Sequence, residues 1–132
     1  MSLFVDASAI VSMLAQEEDA LELADRLDED DALLWSPITQ WESVAALKRI
    51  RSIDPYEARD EVRAFGAEWQ LRLVTIGEWE NEMAFEAFRL YGKGTGHPAK
   101  LNMGDCFAYA CAKANQARLL YKGDNFSRTD LA

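Results

Sequence analysis

The chain has 132 residues, 49% hydrophobic and 28% charged, with 14 Lys and Arg against 23 Asp and Glu, a formal charge of −9 whose field repels nucleic acid. That length and apolar share specify one domain, 1–132, that folds without a disulfide framework or structural metal, and they exclude a disordered chain. No apolar run approaches the roughly 20 residues of a membrane span, MSLFVDASAI lacks a basic signal-peptide start, and Cys106 and Cys111 form neither a zinc pair nor a disulfide scaffold, so the expected compartment is the reducing cytoplasm.

Leu3-Phe4-Val5 is a short apolar run that ends at Asp6 and reads as a buried first strand. Ser8 to Ala15 is a short helix with Ile10, Val11 and Leu14 on one face. A second helix, Glu17 to Leu27, carries Leu21, Ala24 and Leu27 at helical spacing. The acidic break Asp28 to Asp31 is a solvated loop. Ala32 to Trp35 is a second strand, closed by Ser36-Pro37, a cap followed by proline at the first helical position. The helix that follows runs to about Ser52, with Ile38, Trp41, Ala45 and Leu47 as expected core residues. Asp54-Pro55 repeats the start signal and opens a helix to Trp69. Leu71 to Ile76 is a third strand, and Glu78 to Tyr91 a helix after Gly77. Gly92 to Pro98 is a glycine-dense loop, Gly104 to Gln116 a helix, Arg118 to Tyr121 a fourth strand, and Gly123-Asp124-Asn125 a turn. Strands alternating with helical segments predict an α/β fold, a three-layer domain with a mainly parallel sheet.

Ligands of such sheets bind outside the carboxyl ends of the strands. Four carboxylates fall there: Asp6 after the first strand, Glu42 early in the helix after the second, Asp105 at the start of the last helix, and Asp124 in the turn after the fourth strand. All-oxygen ligands suit Mg²⁺ or Mn²⁺, and a divalent cation relieves the repulsion that keeps packed carboxylates from ionising together. Such a cation activates water and stabilises charge on a phosphate. Each acid also has a plainer role: Asp6 as a helix cap, Asp105 as a helix cap or a partner of its helix dipole, Asp124 as a turn residue, Glu42 as a solvated helix residue. Their joint placement favours a site. With His97 the single histidine, a His-based catalytic set is hard to build, and His97 before Pro98 reads as a loop-structuring residue. Cys106 and Cys111 read as small buried side chains. Gly92-Lys93-Gly94-Thr95-Gly96 lacks the spacing of a P-loop. A phosphatase-like start would want a second Asp where Ser8 stands.

FVDASAIVSMLAQEED, SPITQWESVAAL and especially HPAKLNMGDCFAYA within the last third resemble the PIN-domain ribonucleases, and among them the VapC toxins of toxin–antitoxin pairs. The resemblance covers nearly the whole chain. It implies a PIN-like α/β/α sandwich and a Mg²⁺- or Mn²⁺-dependent endoribonuclease site, with Asp6, Glu42, Asp105 and Asp124 as its acids. Asp6 and Asp105 match the direct metal ligands, Glu42 the residue that holds water or metal, and Asp124 a fourth acid acting through water. Ser8 matches a hydroxyl position beside the first Asp. Asn102, Lys122 and Asn125 flank the acids, and Asn125 departs from the acid that many relatives carry there.

The resemblance also implies a VapB-like antitoxin, an RNA substrate of the transfer or ribosomal class, and a homodimer for which Trp69, Trp79 and Phe85 are available. A basic antitoxin would suit the acidic chain. A PIN-type nuclease of RNA processing without an antitoxin, and a non-catalytic binding module, are the competing readings; the presence of all four acids weighs against the latter. Arg89 and Lys93 are candidate substrate-binding cations, joined by Lys100, Lys122 and Arg128. Lys48-Arg49-Ile50-Arg51 is a second basic patch, also explained by a helix C-terminus. Trp41 is expected in the core, with pocket shaping as the alternative.

Overall fold

The computed structural model describes residues 1–132. Its elements in chain order are β1 (Ser2–Val5), α1 (Ala7–Leu14), α2 (Ala20–Leu27), β2 (Ala32–Trp35), α3 (Pro37–Arg51), α4 (Pro55–Glu68), β3 (Arg72–Leu73), α5 (Glu78–Tyr91), α6 (Met103–Ala114) and β4 (Arg118–Leu120), followed by a 3-10 turn at Phe126–Arg128. The four strands pair in the order β3-β2-β1-β4, all parallel. Helices cover both faces, so the expected α/β/α sandwich is the observed one.

Strand parity builds the two cores. Successive side chains of a strand point to opposite faces. Leu3 and Val5 of β1 and Leu33 and Trp35 of β2 enter one core, with Ile10, Leu23, Leu27, Leu47, Val62 and Phe65 from α1 to α4. Phe4 and Leu34 point the other way into a core with α5 and α6, where Ala108, Ala110, Cys111 and Ala112 let the helix lie close to the sheet. Both cysteines are buried and free. No helix is long and apolar enough to cross a membrane.

The local start signals are in place. The Ser36 hydroxyl accepts from the Thr39 amide (3.2 Å) while the Ser36 amide donates back to Thr39 Oγ1 (3.3 Å), and the Asp54 carboxylate accepts from Tyr56 N (2.8 Å) ahead of Pro55. Two elements are shorter than their sequence pattern. Helix α2 starts at Ala20 because Gln16 takes a left-handed turn (φ 55°) and Asp19 faces back to Ser12 and Lys122. Strand β3 has two residues because its only neighbour, β2, ends at Trp35, where Ser36-Pro37 starts α3.

The strand order places a switch point at β1. The chain winds outward from β1 to β2 and β3, then returns through α5 and α6 to the other side of β1. Asp6 follows β1 at this crevice, and its amide donates to the Leu120 carbonyl of β4 (2.9 Å). The segment after β4 is tied down at its end: Phe126 is buried, and the Asp130 carboxylate accepts from Tyr109 Oη (2.7 Å) and pairs with Lys113.

A single glycine lets α4 close on the sheet. A methyl at Gly66 would lie 2.4 Å from Cζ2 of the buried Trp35. Ala favours a helix by about 1 kcal/mol over Gly, but overpacking costs about 1–3 kcal/mol. Gly66→Ala is therefore expected to lower the melting temperature by several degrees in a thermal unfolding scan.

Candidate active site

Asp6, Glu42 and Asp105 line one cavity of ≈ 570 Å³ at the carboxyl edge of the sheet, with Ser8, Asn102 and Lys122 on its wall. Each acid arrives on a different element. Asp6 caps α1: the Ser8 amide (3.0 Å) and hydroxyl (2.6 Å) both donate to its Oδ2. The same Ser8 hydroxyl accepts from Lys122 N (2.9 Å), which sews β4 to the start of α1. Asp105 stands in the first turn of α6 in a reciprocal cap: its amide donates to Asn102 Oδ1 (2.8 Å), and its Oδ2 accepts from Asn102 N (3.1 Å). Asn125 Nδ2 also donates to that Oδ2 (3.0 Å). The capping roles read from the sequence are therefore real, and they orient the same carboxylates toward the cavity.

Glu42 lies on an α3 face with Ala45, Ala46 and Arg49, the i, i+3, i+4, i+7 spacing of one helical stripe, and all four line the cavity. The two alanines leave room. Gly104 shapes the opposite wall, because a methyl there would lie 1.8 Å from Glu42 Oε2. Gly104, Arg49 and Glu17 belong to the cavity's surroundings and were not among the site residues expected from sequence. A glycine inside the first turn of a helix, just before an acid, is the one signal that pointed to Gly104.

Asp124 behaves differently. It is exposed in its turn, its carbonyl accepts from Ser127 Oγ (2.6 Å), and its side chain does not line the cavity. The next residue, Asn125, reaches Asp105 instead. Arg89 is exposed on α5 and paired with Glu86, and Lys93 borders an apolar groove with Phe85, Phe88 and Met103. Neither reaches the acids. The cations on the cavity wall are Arg49 and Lys122, and Lys122 is already bound to Glu17 (2.8 Å) and Asp19 (3.5 Å). His97 holds its loop, as expected, with Nδ1 accepting from Ala99 N (3.0 Å). Trp41 corrects an expectation: it is 72% exposed on the cavity rim, not in the core. It stands two residues from both Thr39 and Ser43, on the side of α3 away from the buried stripe of Thr39, Ser43 and Leu47. Trp69 is half-buried against the core, whereas Trp79 and Phe85 are exposed.

The electrostatics follow from burial and from like charge. Burial pushes Asp6 up to about 6, with Asp105 adding repulsion and the Ser8 bonds opposing both. Burial, then the charges of Asp6 and Asp105, push Glu42 up to about 7. Asp105 is raised by burial and held back by Asn102 and Asn125. None of the ion pairs in the structure engages these three acids.

The donor set fits a hard divalent cation: oxygen only, negative, and uncompensated by the protein's own cations. The hydrogen bonds to Asp6 and Asp105 recorded above all fall on Oδ2, which leaves each Oδ1 for ligation. The carboxylates do not close a cage of three or more ligands.

The acidic cavity lies at the switch point of a parallel α/β/α sheet, the crevice where sheets of this class bind their ligands. The chain belongs to the PIN-domain family, whose model, described as PIN domain, matches residues 3–131, and within it to the VapC ribonucleases. A VapC ribonuclease of Rhizobium meliloti (strain 1021) is 45% identical, over 97% of this chain and 98% of its own length. Ribonuclease VapC42 of Mycobacterium tuberculosis is 32% identical over 98% of this chain and 96% of its own. Among solved structures, Mycobacterium tuberculosis VapC20, a sarcin–ricin loop cleaving toxin, has a TM-score of 0.73 at 15% identity over 95% of this chain and 92% of that one. A toxin–antitoxin complex from Klebsiella pneumoniae has a TM-score of 0.71 at 17% identity, covering 99% and 94%. These two similarities are of fold.

Two outcomes are expected. A carboxylate raised above its unfolded value stabilises the fold at low pH and loses that contribution as pH rises through the folded value. For Asp6 and Glu42 the ordinary values are 3.8 and 4.5 and the folded ones about 6 and about 7. The metal-free protein therefore loses stability between about pH 4 and pH 7 from these groups. Glu42→Gln removes part of that loss, and Mg²⁺ raises the melting temperature more at pH 8 than at pH 5; calorimetry at both values checks this. Second, Gly104→Ala pushes the flexible Glu42 carboxylate aside while leaving the fold nearly as stable. An ångström-scale misplacement costs on the order of 10²-fold in rate, which cleavage kinetics alongside a thermal scan will read.

Proposed function

We propose that this chain is a Mg²⁺- or Mn²⁺-dependent endoribonuclease, the toxin of a VapBC-type pair, and that Asp6, Glu42 and Asp105 form its catalytic site. The observation that carries this is the meeting of three carboxylates in one cavity, none of them held in an ion pair.

Asp6 and Asp105 would hold the cation through their free Oδ1 atoms, since Ser8, Asn102 and Asn125 fix the other oxygens. When bound, the cation supplies the charge that lowers the pKa of water and stabilises the phosphoryl oxygens during in-line displacement. Glu42, whose carboxylate a bound cation would favour in its ionised form, stands in the cavity as the group to accept a proton from the attacking water. Water then attacks phosphorus and the P–O bond to the leaving nucleotide breaks, without a covalent enzyme intermediate. Asp124, exposed outside the cavity, is assigned an outer role through water, and Asn125 the orientation of Asp105.

The partner follows from charge. A chain of −9 attracts a basic protein, and a VapB-like antitoxin of that character would quench the acidic cavity. The Klebsiella pneumoniae structure similar in fold is a toxin–antitoxin complex, which supports such a pairing. The RNA substrate is of the transfer or ribosomal class. Exposed Phe85 and Phe88 on α5 share one apolar groove and supply the apolar face for a homodimer; Trp79 is exposed on another side of the helix, and Trp69 is half-buried. The cytoplasm is the compartment where such an RNA-directed toxin and its antitoxin would act.

The test is cleavage of total RNA by the purified chain, with 5′-end sequencing of the products. Cuts are expected with Mg²⁺ or Mn²⁺, and loss of at least about 10²-fold with EDTA or in Asp105→Asn. Cutting that survives both changes would refute the metal mechanism.

A further inference from the structure

Trp41 is the largest side chain on the rim of the acidic cavity, and no packing role accounts for its position. It is 72% exposed and stacks on no other ring of the protein. It lines two depressions at once. On one side is the acidic cavity, where the adjacent Glu42 and Arg49 stand. On the other is a groove of ≈ 290 Å³ between α3 and α4, bordered by Tyr56, Arg59 and Arg63. Across that groove Tyr56 is also exposed, with the Arg59 guanidinium 4.7 Å from its ring centre.

The charges here run against those of the molecule. No acid lines the groove. Arg49 and Arg63 take part in none of the ion pairs, whereas Arg51 and Arg118 are held by Glu61 and Asp30. An aromatic plane flanked by unpaired arginines, next to a cavity that would hold a cation, is suited to a nucleotide whose phosphate faces the acids. Bases of any identity stack on aromatic side chains, and guanidinium groups serve the backbone or stack in turn. A basic protein segment, the kind of partner the overall charge attracts, meets arginines of its own sign in this groove.

We propose that Trp41 is a base-stacking platform for single-stranded RNA, seating the nucleotide adjacent to the phosphate over the acidic cavity, with Arg49 and Arg63 on either side of it as phosphate contacts. The proposal rests on the ribonuclease reading of the cavity. It makes Trp41 a substrate-binding residue that tolerates any base, and it explains how a chain of −9 captures RNA through a local patch.

The experiment uses the full chain carrying Asp105→Asn, so that RNA is not consumed, and 12-nucleotide oligouridylate and oligoadenylate as probes. Affinity is measured by titration in Mg²⁺, alongside an abasic ribose-phosphate oligomer of the same length. The expected result is a loss of at least about tenfold in affinity on adding Trp41→Ala, recovery of most of it with Trp41→Phe, and weak binding of the abasic oligomer that Trp41→Ala does not weaken further. Arg63→Ala is expected to weaken all three oligomers alike and to reduce the salt dependence. Equal affinity with and without Trp41 overturns the proposal, and so does a Trp41→Ala protein that keeps RNA binding but loses a VapB-type antitoxin, which assigns the groove to protein. Total-RNA cleavage by the chain with Asp105 intact is run in parallel. If it is absent, the ribonuclease reading fails and the platform with it; if it is present, equal affinities overturn the platform alone.

Discussion

The burial of three carboxylates, Asp6, Glu42 and Asp105, in one cavity, with like-charge repulsion added, is the constraint around which the site is arranged. Three carboxylates share one cavity, two of them raised to about 6 and about 7, and none has a Lys or Arg partner. Left to relax, like charges would swing apart into water. Every surrounding device prevents that. Ser8 grips one oxygen of Asp6 with two hydrogen bonds, Asn102 and Asn125 grip one oxygen of Asp105, and the absent side chain of Gly104 leaves room for the Glu42 carboxylate where it stands. On the proposed reading, a bound cation would offset the cost of this arrangement.

The sheet supplies the frame for that arrangement. Asp6 emerges at β1, where the strand order reverses, and its amide and Ser8 hydroxyl both connect to the segment that leaves β4. The end of that segment is anchored by buried Phe126 and by Asp130 on α6, so Asn125 arrives at Asp105 on a supported backbone. A polar site thus stands on two close-packed cores, one on each face, and neither core contributes a titratable group to it.

Charge is partitioned just as sharply. Of the two cations on the cavity wall, Lys122 is engaged by Glu17 and Asp19; farther along α3, Arg51 is held by Glu61. Arg49 and Arg63 are not, and they flank the exposed Trp41. Beside the acidic cavity these two arginines are the unpaired cations that a polyanion would meet, although Lys48, Arg72, Lys93, Lys100 and Arg128 also take part in no ion pair.

Much was legible from residue order because it depends on neighbours in the chain. Alternation of apolar runs, Ser36-Pro37 and Asp54-Pro55 starts, and acids placed just after strands are local signals, and they determined the α/β class, most element boundaries and the membership of Asp6, Glu42 and Asp105 in one site. Tertiary structure alone decided what depends on distant atoms. Whether Asp124 or Asn125 turns toward Asp105 depends on the anchoring of the segment after β4. Whether Trp41 is core or rim depends on the rotation of α3 by the fraction of a turn that buries Thr39, Ser43 and Leu47. Arg49 and Lys122 stand side by side in composition, yet one is free and the other clamped, because ion pairing is settled by proximity in space, which the order of residues does not contain.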